Sequence, residues 1–330
     1  MAEGRDPTLR ELGEFSVIDR LVSGRALPAW VTVGPGDDAA VLGAPDGRVA
    51  VSTDMLVEGR HFRLDWSRPR DVGRKAIAQN AADIESMGAR VTGFVVAFGA
   101  PPDTPAALVG ELADGMWAEA GKVGAGIVGG DLVASPQWVV SVTALGDLGG
   151  RDPVLRSGAR AGSVIAVAGE LGWSGAGFAL LDRGLDRGFD RGFDRGNDGF
   201  DAVRDRHLVP RPPYGQGRTA AESGAQAMTD VSDGLVADLG HLAAASGVVM
   251  DLRSAALRED VDALTPAAAA AGVDPWSLVL GGGEDHALVA CFPDYPPHGW
   301  RVIGAVRAGP AAVLLDGHRW DGPAGWQSFD

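Results

Sequence analysis

Short apolar runs alternating with stretches of helical spacing constrain the fold of this chain more than any other feature. Residues 49–52, 93–98, 126–128, 138–145 and 163–168 each read as a strand, and the segments between several of them repeat apolar side chains every three or four positions. That alternation favours an α/β or α+β arrangement, helices laid on sheets. The first half runs out near Gly149-Gly150, residues 152–162 form a polar connector, and the apolar run at 164–167 opens a second unit of strand, helix and strand. With 330 residues, 45% of them hydrophobic, the chain is long enough for two cores. Two domains are therefore expected, 1–150 and 151–330.

The second half carries a segment of low complexity, 182–201. Asp182-Arg183-Gly184-Leu185 recurs with Asp186, Asp190 and Asp194 leading further copies. An Arg/Gly tract can bind RNA, but here each arginine is matched by an aspartate, which favours a solvated, mobile surface insertion.

Acidic residues outnumber basic ones, 44 to 29, for a net charge of −15. Nucleic acid and anionic membranes are disfavoured as partners, and an acidic chain that handles phosphates needs metal ions. No apolar run approaches the roughly 20 residues of a membrane-spanning helix, and residues 1–14 are charged rather than signal-like, so the cytoplasm is expected. The single cysteine, Cys291, sits in an apolar run and reads as a buried thiol.

The acids are not scattered evenly. Gly36-Asp37-Asp38 places adjacent carboxylates beside glycine, either an Asp-rich turn or a pair held ionised by a cation. Ser52-Thr53-Asp54 closes an apolar run with three oxygen-bearing side chains, a set that suits magnesium better than zinc. His61 follows as either a ligand contact or a hydrogen-bonded surface histidine. In 71–87 an apolar stripe at helical spacing carries Asn80 and Asp83 on one flank, where Asp83 is satisfied by an N–H or by Lys75, or else points into a site.

Gly129-Gly130-Asp131 ends the run at 126–128, its glycines permitting close approach by a phosphate or ion. Asp230, Ser232 and Asp233 precede a helix that carries Asp238; an N-cap explains one of those acids, not both. Gly281-Gly282-Gly283 then leads into Glu284-Asp285-His286, a tight turn or a set of backbone donors closing over a polar ligand. Gathering six such clusters without cations would be strongly destabilising.

These motifs, in this order and with Met87-Gly88-Ala89 after Asp83, resemble the thiamine-monophosphate kinase family over nearly the whole chain, from Gly13-Glu14-Phe15 to Trp326-Gln327-Ser328-Phe329-Asp330. That family belongs to an ATP-binding superfamily with aminoimidazole ribonucleotide synthetase and selenophosphate synthetase. The resemblance implies a two-domain fold of that kind, with an N-terminal half that dimerises, a C-terminal α/β half, and an active site in a cleft shared by the halves. It implies magnesium-dependent transfer of the ATP γ-phosphoryl group to thiamine monophosphate by direct in-line attack. It also implies a homodimer.

Carried onto this chain by motif position, the resemblance makes Asp37, Ser52, Thr53, Asp54, Asp83, Asp131, Asp230 and Asp233 metal ligands, with Asp83 shared by more than one ion. It makes Gly130, Asp131, Arg156 and Ser232 contacts of ATP, and His61, Glu284 and Trp326 contacts of thiamine monophosphate. An indole is a good platform for a cationic thiazolium or a flat pyrimidine. The chain departs from the family pattern at Ala82, Leu132, Val123 and His286, and in the Asp-Arg-Gly insertion. Other enzymes of the superfamily use an additional reactive terminal residue, often cysteine, which this chain lacks at either end. A non-catalytic calcium-binding protein would show EF-hand spacing, which is absent.

Overall fold

The computed structural model describes residues 6–36, 39–185 and 199–325. By its contacts the chain forms two compact units, one of Met1–Ala81 with Val91–Gly149, the other of Ala82–Arg90 with Gly150–Asp330. The stretch 82–90, which lies within the first half of the sequence, thus counts with the second unit.

The first unit contains α1 (Leu9–Leu12), α2 (Glu14–Val22), the hairpin of β1 (Val31–Val33) and β2 (Val41–Leu42), β3 (Ala50–Val57), the start of α3 (Pro69–Ser86), β4 (Arg90–Ala100), α4 (Ala106–Lys122), β5 (Ile127–Ala134) and β6 (Val139–Asp147). Its four-stranded sheet has the order β3-β6-β4-β5. β3 and β6 pair antiparallel; β4 and β5 pair parallel, joined by α4 as a helical crossover. Alternation along the strands buries Val140, Val142, Ala144, Phe94, Val96 and Phe98, and leaves Val51, Met55, Val95 and Val133 on the open face.

Two runs extend further than their composition suggests. β3 continues past Ser52-Thr53-Asp54 because every residue from Ala50 to Val57 has a partner on β6. β5 continues through Gly129, Gly130 and Asp131 because each pairs with β4. Ladder pairing outweighs the two glycines, whose local preference is to end the strand.

The second unit contains β7 (Val164–Ala168), α5 (Trp173–Asp182), α6 (Asp201–Leu208), α7 (Gln216–Glu222), β8 (Ala227–Asp230), α8 (Leu235–Ser246), β9 (Val249–Leu252), α9 (Ser254–Ala271), α10 (Pro275–Gly281), β10 (Leu288–Phe292), β11 (Arg301–Arg307), β12 (Ala312–Leu315) and β13 (His318–Arg319). Its seven strands run β13-β12-β9-β11-β7-β10-β8, antiparallel except for β12 with β9. β7 and β10 are apolar throughout because both of their faces are covered. Ile165, Val167, Val289 and Cys291 join Leu239, Leu242 and Leu264 on one side. Ala166, Ala168, Leu288, Ala290 and Phe292 meet Ala220 and Trp300 on the other. Among the described residues no helix is long and apolar enough to cross a membrane. Most of the Asp-Arg-Gly repeat, 186–198, lies outside the described residues.

Candidate active site

In the first unit, the period of two along β3 turns Ser52 and Asp54 to one face and Thr53 to the other. Thr53 Oγ1 donates to Val142 O at 3.0 Å and accepts from Thr143 Oγ1 at 3.2 Å, which uses its hydrogen and one lone pair. Asp54 is tied to α3. Its N–H donates to Asn80 Oδ1 at 3.1 Å, and its Oδ2 accepts from Gln79 Nε2 at 3.2 Å. Asn80, 1% exposed, also donates from Nδ2 to Ala76 O at 2.8 Å, so its amide fastens the strand to the helix.

His61 follows in the turn after β3. Its N–H donates to Val57 O, and its Nδ1 accepts from the Val57 N–H, each at 3.0 Å. A ring that accepts at Nδ1 carries its hydrogen on Nε2, so His61 is set as an Nε2–H donor. Lys75, buried in α3, donates from Nζ to His61 O at 3.0 Å and holds that turn in place. On β5, Asp131 is exposed and accepts from the Leu132 N–H at 2.9 Å. Gly130 answers to the sheet, since a Cβ there would lie 2.1 Å from Val96 O.

In the second unit, β8 ends at Asp230, buried at 3% exposure. Its Oδ2 lies 3.0 Å from His286 Nδ1. A carboxylate only accepts, so His286 donates there. Burial pulls the His286 pKa down, but the Asp230 hydrogen bond and charge, with Glu284 and Asp83 adding theirs, carry it above the ordinary histidine value. Asp83 therefore lies near enough to His286 for its charge to be felt.

Neither Ser232 nor Asp233 caps α8. The cap is Gly234, with no side-chain bond. Asp238, one turn inside the helix, reaches back instead: its Oδ2 accepts from the N–H groups of Ser232, Asp233 and Gly234 at 3.0, 3.1 and 3.1 Å. Burial, with the Asp230 and Asp233 charges, pushes the Asp238 carboxyl up to about 7. Burial also raises Asp233, the charges of His241 and Arg156 opposing it. Arg156 is thus close to the loop that carries Ser232 and Asp233. Asp233, Asp238 and His241 offer ligand atoms all within 4.8 Å of one another.

This crowding bears on metal. Carboxylates held together in a low dielectric, with pKa values pushed up, favour binding either protons or a cation, and a nearly all-oxygen donor set suits a hard ion such as magnesium.

Three consecutive side chains then leave the Gly281-Gly282-Gly283 turn for three different elements. Glu284 approaches His207 on α6, its Oε2 3.4 Å from Nδ1. Asp285 accepts from the Gly172 and Ser174 N–H groups at the start of α5. His286 takes Asp230. The turn that makes this possible sets Glu284 and His286 at φ 62° and 52°, a left-handed backbone that non-glycine residues adopt at some cost.

Within the second unit the structure thus gathers Asp83, Arg156, Asp230, Ser232, Asp233 and Glu284. In the first, Ser52, Thr53 and Asp54 lie along β3 with Thr53 on the opposite face, His61 lies in the turn after it, and Gly130 and Asp131 lie on β5 at the other edge of the sheet. The structure thus brings together Asp54 and His61, both held by α3, and not Thr53 or the β5 pair. Asp37 and Trp326 lie outside the described residues. Sequence reasoning missed Gln79, Asp238 as a loop holder, and His207. The i+4 spacing of Asp238 after Gly234 was a usable signal; nothing in the sequence around His207 links it to Glu284.

Comparison with known proteins identifies the family. A family model for the N-terminal domain of AIR synthase related proteins matches residues 36–148, and one for their C-terminal domain matches 160–312. The thiamine-monophosphate kinase of Mycobacterium tuberculosis is 67% identical over 323 residues, covering 98% of this chain and 93% of that protein. The thiamine-monophosphate kinase of Corynebacterium glutamicum is 42% identical over 328 residues, covering 98% and 95%. The solved structure of AaThiL complexed with AMPPCP and TMP superposes with a TM-score of 0.76 at 29% identity, covering 99% of this chain and 100% of that one. The hydrogenase maturation protein HypE of Escherichia coli, at 21% identity and a TM-score of 0.69 over 91% of this chain and 92% of that one, shares the fold.

Proposed function

The chain belongs to the thiamine-monophosphate kinase family of AIR synthase related proteins, and from that premise we propose that it transfers the γ-phosphoryl group of ATP to thiamine monophosphate, giving thiamine diphosphate and ADP. The observation that carries this reading is the 67% identity to the Mycobacterium tuberculosis kinase across 98% of the chain. The relative complexed with AMPPCP, an ATP analogue, and TMP supports both substrates.

In the transfer, an oxygen of the acceptor phosphate attacks the γ-phosphorus in line with the bond to the bridging oxygen. One P–O bond forms, the other breaks, and ADP leaves with the electron pair. A phosphate monoester carries roughly −1.5 to −2 charge at pH 7, so no protein base has to remove a proton. The chain has to position two anions and offset their charge.

Magnesium, when bound, supplies that charge neutralisation. The groups assigned to hold it are Asp37, Ser52, Thr53, Asp54 and Asp131 in the first unit, and Asp83, Asp230 and Asp233 in the second. Gln79 supports the assignment by fixing one oxygen of Asp54, and His286 does the same for Asp230. Gly130, Asp131, Arg156 and Ser232 take ATP, the guanidinium of Arg156 facing its phosphates. His61 donates from Nε2 to thiamine monophosphate, Glu284 accepts from it, and Trp326 stacks on it.

The protein works in the cytoplasm as a homodimer. The open apolar face that presents Val51, Met55, Val95 and Val133 supports a second copy as its cover. Sedimentation of the purified protein reads this directly, and Met55→Glu is expected to halve the mass.

Incubating the protein with thiamine monophosphate, ATP and magnesium is expected to yield thiamine diphosphate by chromatography; no product would overturn the function. Asp83→Asn is expected to abolish turnover at ordinary magnesium concentration, and full turnover there would overturn the shared role of Asp83.

A further inference from the structure

His207, which the reaction as described does not use, sits between Ser174 and Glu284. It is 7% exposed on α6, and Ser174, 1% exposed, lies in the first turn of α5. Nδ1 of His207 is 3.2 Å from Ser174 Oγ and 3.4 Å from Glu284 Oε2. One nitrogen offers either a hydrogen or a lone pair, and a carboxylate only accepts. A hydrogen on Nδ1 satisfies both neighbours, whereas a lone pair there would face the lone pairs of the carboxylate, so the approach of Glu284 favours the Nδ1–H form.

The surroundings hold the imidazole in that place. α5 and α6 touch so closely at Gly177 that a Cβ there would lie 2.5 Å from Val203 O and 2.9 Å from His207 Cβ. The Phe178 ring lies 5.4 Å from the His207 ring, tilted by 58°. Ser174 is fixed in turn by its N–H, which donates to Asp285 Oδ1 at 2.8 Å. The Glu284 backbone is equally fixed, its N–H donating to Ser232 O at 2.7 Å. The Glu284 side chain keeps 30% exposure.

We propose that His207 is a positioning residue for the acceptor: through Nδ1, braced by Ser174, it orients Glu284 and so sets the affinity for thiamine monophosphate without touching that for ATP. The inference rests on the reading that Glu284 contacts thiamine monophosphate. Without the anchor, a glutamate side chain regains its rotamer freedom, and recovering the bound conformation weakens binding of whatever Glu284 contacts.

The test separates KM for the two substrates. His207→Leu is expected to raise KM for thiamine monophosphate roughly tenfold, leaving KM for ATP within about twofold. His207→Asn, whose amide nitrogen falls where Nδ1 was, is expected to stay within about threefold of the parent; His207→Gln, whose nitrogen falls where Nε2 was, is expected to behave like His207→Leu. In a Glu284→Ala background His207→Leu is expected to add nothing.

Equal shifts in both KM values, or Asn behaving like Leu, overturn the proposal. If Glu284→Ala raises KM for thiamine monophosphate and His207→Leu does not, the role of His207 falls and the reading of Glu284 stands. If Glu284→Ala leaves that KM unchanged, the reading of Glu284 itself falls. Should leucine at this buried position unfold the protein, the Asn and Gln variants carry the same comparison, and equal KM values for the two overturn it.

Discussion

Asp285 offers a test of the second unit that needs no substrate. The residue keeps some exposure, but its carboxyl is enclosed by the first turn of α5, where it accepts from the Gly172 and Ser174 N–H groups. Burial pushes it up to about 7 from an ordinary 3.8, those two bonds opposing. A carboxyl whose folded pKa lies above its unfolded one stays protonated in the folded state after the unfolded chain has lost the proton. Its contribution to stability is full below pH 4 and is lost as pH rises through 7.

Between pH 5.5 and 8 the loss amounts to about 2 kcal/mol. Asp285→Asn keeps an acceptor oxygen and cannot titrate. Other acids in the unit, Asp238 and Glu85 among them, are raised as well. The informative quantity is therefore the difference between parent and variant. Urea unfolding followed by tryptophan fluorescence, in EDTA, is expected to show parent minus variant stability falling by about 2 kcal/mol over that range. A difference that stays flat, or rises with pH, refutes the enclosed, protonated carboxyl.

Gly158→Ala puts a Cβ 1.7 Å from Gln226 O, a backbone atom that cannot step aside, so a loss of about 2 kcal/mol or more is expected in thermal unfolding, and an unchanged Tm contradicts the contact. Cys291 is fully buried, its thiol pushed up to about 12, so a thiol reagent at pH 8 is expected to react only as the protein unfolds; rapid reaction of the folded chain contradicts that placement. His61→Gln, which keeps a nitrogen donor near the place of Nε2, is expected to raise KM for thiamine monophosphate less than His61→Asn does, and the reverse order contradicts the Nε2–H donor.

Much of the architecture was legible in local pattern. β7 and β10 are apolar on both faces because helices cover both, and their composition shows it without knowledge of their partners. β3 and β5 were legible only in part. Polar and glycine residues, Ser52 to Asp54 and Gly129 to Asp131, read as strand ends, and only the ladders to β6 and β4 carry the strands through them.

The site divides in the same way. Asp54, Asp230 and Glu284 stood out through their neighbours in sequence. Gln79, His207 and the backward reach of Asp238 did not, because each acts on a group brought near by the fold: Asp54 lies 25 residues from Gln79. Ser232 and Asp233 looked like helix caps because a polar residue before an apolar helical run usually is one. Asp238 takes that work inside the second unit, which leaves both side chains for other contacts.

The central claim is a direct transfer between two substrates, and the most direct measurement follows the transferred group. With ATP labelled at the γ-phosphorus, thiamine monophosphate and magnesium, label is expected in the terminal phosphate of thiamine diphosphate, matched one to one by ADP. Label released only as inorganic phosphate, or ADP formed without labelled thiamine diphosphate, would contradict it.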